Sequence, residues 1–171
     1  CYFPHEEKEL QDFLFTKNLY PRKLINTHCH IDHIFGNNFV KNTWGIDLYI
    51  HKKELEILES SYEISKIYGF DEYKKTPKPD FFLDETKQLN FGETSLKVLF
   101  TPGHSPGHIS LYSKENNSLI VFNLSTLLMS ISSWFWTDIN LELSEYNLWN
   151  PIAITTKIWR WGLTLITINF L

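Results

Sequence analysis

Thr27-His28-Cys29-His30-Ile31-Asp32-His33 packs three imidazoles and a carboxylate into a few consecutive residues. It directly follows Lys23–Thr27, which reads as a short strand, so the cluster belongs on a strand-to-helix loop. Alternate residues of an extended stretch point the same way. His28 and His30 are therefore expected to converge on one point, while Asp32 and His33, past the turn, address a second point nearby. Imidazole and carboxylate are ligands that suit zinc, iron or manganese. The plainer alternative is a set of exposed or capping histidines, but four potential ligands packed this closely are hard to obtain by chance.

A second element, Thr101-Pro102-Gly103-His104-Ser105-Pro106-Gly107-His108, follows a strand ending at Phe100. Its two Pro-Gly pairs force tight turns, which fix the direction of a side chain at a strand end. His104 is the candidate third ligand at the point of His28 and His30; the competing reading is a turn histidine bonded to backbone. Three histidines on one metal with a free fourth position make a catalytic arrangement, whereas structural sites are closed. His108 reads as a supporting or structural histidine. His5 and His51, without a partner motif, read as surface or satisfied core histidines, and Cys29 as packed.

Outward from these motifs, helices and strands alternate. Pro4 opens a helix over His5–Asn18, with Leu10, Phe13 and Leu14 at helical spacing, and Pro21 closes that unit. A helix starts over His33–Asn42, and Leu48–His51 is a strand. Lys52–Tyr68 is a helix stopped by Gly69. Asp71–Asp80, with Pro77 and Pro79 among lysines, is an exposed loop. Asn90-Phe91-Gly92 is turn chemistry. Leu96, Val98 and Phe100 alternate as a strand with one buried face. Ile109 and Leu111 lie on the next strand, and Asn116-Asn117 turns the chain into Leu119–Phe122.

The chain has 171 residues, 43% hydrophobic and 21% charged, with a formal charge of −4. That composition excludes a disordered or collagen-like chain and suits one domain. Scattered lysines and arginines in a mildly acidic chain give no argument for nucleic acid. The expected partner is a small-molecule substrate, with no nucleic acid and no membrane; oligomeric state is not legible. Two cysteines make no disulfide framework, and no signal peptide opens the chain, so a cytoplasmic location is expected. The start at Cys1 suggests processing or a fragment.

Residues 1–121 hold 31 of the 36 charged residues and every histidine, whereas 122–171 hold five of the six tryptophans. We expect 1–121 to form the core carrying the metal motifs and 122–171 an atypical apolar tail of the same domain. Leu119–Phe135 is broken by Asn123, Ser125, Thr126, Ser130, Ser132 and Ser133, a poor membrane helix; buried strands are the plainer reading. In a third reading the tail is not the native continuation of the first half. The tail is expected to be the weakest part of the structure.

The first motif matches the H-x-H-x-D-H signature of the metallo-β-lactamase superfamily, and the second resembles its T-P-G-H-[ST]-x-G-H element. Together they resemble the glyoxalase II-like (hydroxyacylglutathione hydrolase-like) branch over about residues 1–122. The resemblance implies an α/β fold, an αβ/βα sandwich, here incomplete because its first strands are not in the sequence. It implies His28, His30 and His104 on a first metal, Asp32 and His33 on a second, and a bridging hydroxide as nucleophile. The family's bridging aspartate falls at Ser125, and no histidine follows His108. A terminal truncation together with a tail changed by a frame disruption would account for the missing motifs and for the compositional break. The expected function is a zinc-dependent hydrolase, with one or two metals, acting on a thioester or similar acyl substrate. If only one metal is held, Asp32 is the candidate catalytic residue, as a general base or by orienting water. Iron or manganese could replace zinc. Two alternatives accompany this reading: an iron-dependent persulfide dioxygenase-like enzyme of the same fold, and an inactive fragment that only binds metal.

Overall fold

Helix α1 (Pro4–Thr16) opens with proline at its first position, where the missing N–H costs nothing, and the Phe3 N–H donates to the Glu6 carboxylate at 3.0 Å. Its buried residues Leu10 and Leu14 are one turn apart on a single face. The computed structural model describes residues 3–121 and the backbone of 165–170. The readings made for Ser125 and for the five tryptophans within 122–171 lie outside the described residues.

Strand β1 (Leu19–Ile25) begins four residues earlier than the sequence suggests and runs through Pro21. Pro21 is tolerated because pairing with β2 (Asp47–His51) starts only at Lys23, and a bulge between Pro21 and Lys23 interrupts the other side. The helix expected from His33 is divided into α2 (Ile31–Ile34) and α3 (Asn37–Trp44), broken at Phe35-Gly36. A 3-10 turn, Lys52–Glu54, leads into α4 (Leu55–Ile67). Gly69 follows α4 with φ +75°, the left-handed conformation glycine adopts at low cost.

The loop over 71–80 is not wholly exposed. Tyr73 and Thr76 are buried, and the Tyr73 hydroxyl sits 3.2 Å from Ser61 Oγ and 2.8 Å from Thr76 Oγ1. Five further strands follow: β3 (Phe81–Leu83), β4 (Gln88–Phe91), β5 (Thr94–Phe100), β6 (Ile109–Ser113) and β7 (Ser118–Ile120). Asn90 and Phe91 belong to β4, so the turn read there falls one residue later, around Gly92. A last strand, β8 (Leu165–Phe170), pairs antiparallel with β1.

Two four-stranded sheets result, ordered β3-β2-β1-β8 and β4-β5-β6-β7. The first is parallel through β1, β2 and β3; the second is antiparallel throughout. Alternation along β1 and β2 sends Leu24, Leu48 and Ile50 towards the helices, where they meet Leu10, Leu14, Val40 and Leu58. It sends Ile25 and Tyr49 the other way, onto Leu89, Leu96, Val98, Ile109 and Leu111 of the second sheet. The described residues thus form a mixed α/β arrangement: a helical layer, a sheet, and a second sheet. The histidine loop leaves the end of β1 in one sheet, and the second motif joins β5 to β6 in the other. A hydrogen bond from Ile109 N–H to the Thr27 carbonyl, at 2.9 Å, ties the two sheets beside the histidines.

Candidate metal centre

His28, His30 and His104 each offer one ring nitrogen, and these three atoms lie within 4.8 Å of one another. His30 Nδ1 and His104 Nε2 are 2.9 Å apart. The three rings stand nearly perpendicular to each other, with centroids 4.5 to 4.9 Å apart and interplanar angles of 77° to 86°. His28 is fully buried and its Nδ1 faces the Thr27 hydroxyl at 3.3 Å. Its Nε2 is buried with no hydrogen-bond partner among the described residues. An unpartnered buried nitrogen is costly, and a divalent cation at the shared point would satisfy it. The donor set therefore fits a borderline metal ion.

His33 packs its ring 4.1 Å from that of His28, and its Nε2 lies 3.3 Å from the carboxylate of the exposed Asp32. Asp32 and His33 thus form a second small group directly beside the first. His108 is buried with its ring 5.1 Å from His28, and its Nδ1 is 2.9 Å from Thr101 Oγ1. His51 is a satisfied core histidine: its Nδ1 accepts from Lys53 N–H at 3.3 Å, and its ring stacks on Phe100. Cys29 is fully buried in the helix-side core; burial, with Glu54 second, raises its thiol well above the ordinary range.

Burial pushes the His28 imidazolium far below its ordinary pKa, and the neighbouring His33, His108, His30 and His104 push it the same way. Burial also lowers His33, against the opposing pull of Asp32. His104 is lowered by burial and His30, and His108 is pushed down to about 4 chiefly by burial. These imidazoles are neutral at pH 7, so each keeps the lone pair that coordination requires.

One buried carboxylate was not legible in the sequence. Glu54 accepts from the Cys29 N–H at 2.8 Å, the Ser105 hydroxyl at 2.5 Å and the Gly107 N–H at 2.6 Å. It falls beside Lys52, Lys53 and Glu56 at the start of the expected helix, and no local pattern distinguishes it. A cleft of about 360 Å³ opens beside His30 and Asp32, walled by Ile31, Ile57, Ile64 and Tyr68.

The metallo-β-lactamase superfamily model matches residues 12–121, and the model of a protein family of unknown function, DUF3177, matches residues 109–170. The chain is similar to the probable metallo-hydrolase YqgX of Bacillus subtilis, at 34% identity over 116 residues, covering 67% of this chain and 54% of that protein. It is similar to a hydroxyacylglutathione hydrolase of Pelagibacter ubique, at 29% identity over 124 residues, covering 72% of this chain and 44% of the relative. The chain spans about half the length of the curated relatives it matches. Among solved structures, the B3 metallo-β-lactamase BLEG-1 matches with a TM-score of 0.59 at 30% identity, over 74% of this chain and 68% of that one. TTHA1623 in a di-iron-bound form matches with a TM-score of 0.62 at 25% identity, over 76% of this chain and 71% of that one. By sequence match, fold and histidine placement, the chain belongs to the metallo-β-lactamase superfamily.

Proposed function

We propose that this chain carries the metal-binding part of a zinc hydrolase that cleaves a thioester or similar acyl compound, with His28, His30 and His104 as ligands of the first metal. The observation that carries the reading is the convergence of one ring nitrogen from each of His28, His30 and His104, with the buried Nε2 of His28 lacking a hydrogen-bond partner among the described residues. The names of its relatives, metallo-hydrolase and hydroxyacylglutathione hydrolase, point to the same chemistry. When bound, a divalent cation at this point polarises a carbonyl and brings the pKa of a coordinated water to about 7.

The chain's own residues do the rest. Asp32, exposed at the lip of the cleft, would act as a general base towards a water or orient that water. His33 holds that carboxylate at 3.3 Å and, with it, offers ligands for a second metal. The walls formed by Ile31, Ile57, Ile64 and Tyr68 receive the apolar part of an acyl group. No helix among the described residues is long and apolar enough to cross a membrane.

A second reading is favoured by one observation, the di-iron form of the similar protein TTHA1623. Iron at the same three histidines would suit oxidation of a persulfide. Metal analysis combined with two assays separates them. Zinc with thioester cleavage and no oxygen uptake supports the hydrolase. Iron with persulfide-dependent oxygen consumption supports the oxygenase. Bound metal with neither activity supports a chain that only binds metal.

A further inference from the structure

Glu54 lies at the end of the 3-10 turn after β2, fully buried, and it bridges the two histidine-bearing segments. Its Oε2 accepts from the backbone of Cys29, the residue between His28 and His30. Its Oε1 accepts from the Ser105 hydroxyl and the Gly107 N–H, within the turn that carries His104. These two segments come from different sheets and are far apart in sequence. Burying a carboxylate costs several kcal/mol unless its lone pairs are satisfied, and here three donors at 2.5 to 2.8 Å satisfy them. The fit is tight: a Cβ added at Gly107 would sit 2.7 Å from Glu54 Cγ and 2.9 Å from its backbone nitrogen. Glycine at 107 is therefore required by close approach to Glu54.

We infer that Glu54 is a positioning residue for the metal centre: its carboxylate sets the spacing between the His28–His30 loop and the His104 turn, and through it the affinity for a divalent cation. The inference rests on the metal-binding reading above. A carboxylate suits this task because both of its oxygens only accept. A glutamine in the same place must turn its NH2 either towards the Cys29 N–H or towards the Gly107 N–H and the Ser105 hydroxyl. Either way, donor faces donor and at least one of the two segments is released.

The test is Co2+ affinity of the full chain and of E54Q, measured by chelator competition, with near-UV circular dichroism confirming that each is folded. E54Q is expected to bind Co2+ about tenfold or more weakly, as for other residues that support metal ligands, with an altered cobalt absorption spectrum. A purely structural role would lower the melting temperature and leave both readouts of the folded variant unchanged; that result overturns the inference. Should E54Q fail to fold, S105A is read instead, since it removes one donor and keeps both N–H bonds. A loss of about threefold supports the inference, and parental affinity overturns it. A parent chain that takes up no Co2+ ends the metal reading as well, whereas equal binding by parent and folded E54Q ends this inference alone.

Discussion

His30 Nδ1 and His104 Nε2 lie 2.9 Å apart although 74 residues separate them in the chain. One side chain follows the parallel sheet and the other follows β5 of the antiparallel sheet. The site therefore exists only when the two sheets are in register. Its integrity depends on the apolar layer between them, built from Ile25, Val98, Ile109 and Leu111.

Asp32 is exposed, and its carboxylate contacts His33 rather than the three converging imidazoles. D32N is expected to keep the first metal and to lose about 10²- to 10⁴-fold in turnover of a thioester, the usual worth of a general base. Metal content and turnover measured on the same sample check this. Loss of the first metal in D32N would instead make Asp32 one of its ligands.

Gly107 has no room for a side chain, since a Cβ there would lie 2.7 to 2.9 Å from Glu54. G107A is expected to destabilise the fold by about 1–3 kcal/mol through overpacking. Chemical denaturation of parent and variant measures it, and equal midpoints with equal slopes would contradict the steric account.

His108 is held down to about 4 in the folded chain, mainly by burial, against an ordinary value of 6.5. Below 6.5 the unfolded chain takes up a proton that the folded chain refuses. Stability of the metal-free protein is then undiminished above pH 6.5 and falls as the pH drops towards about 4, by up to about 1.4 kcal/mol per pH unit. Between pH 7 and pH 5 the parent is expected to lose about 2 kcal/mol more than H108Q. Parallel losses in guanidinium titrations of the two would rule this out.

Asp80 is also held below its ordinary value. Burial raises its carboxyl, but hydrogen bonds from Lys41 and from the Leu48 N–H outweigh that and leave it below its ordinary value. The Leu48 N–H reaches it at 2.7 Å, fastening the loop over 71–80 to β2. A lowered carboxyl stabilises at pH values above the unfolded one and loses that contribution as pH falls through the folded one. D80A is expected to cost about 1–2 kcal/mol at pH 7, a difference that shrinks below about pH 4. Thermal melts across pH 3 to 7 follow it; a difference independent of pH would point to packing rather than charge.

The histidine pair was readable because alternation along an extended segment needs only local geometry, and the turn at His104 because its Pro-Gly pairs fix direction locally. Glu54 was not readable, since its meaning lies in three donors contributed by remote segments. Tyr73 was hidden for the same reason: it sits among lysines and prolines, and is buried because its ring joins the helix-side core while Ser61 of α4 and Thr76 meet its hydroxyl. β1 was read short because Pro21 suggests a break, and the sequence does not reveal that β2 pairs only from Lys23 onwards. β3 is three residues long and takes its order from a non-local parallel pairing with Tyr49–His51.

Metal stoichiometry of the purified chain, alongside H28A and H104A, tests the central claim most directly. The account predicts at least one zinc or iron per folded parent chain, and loss of that metal in either variant, because each removes one of the three nitrogens that converge within 4.8 Å. A folded parent without metal after reconstitution, or variants that keep their full complement, would contradict it.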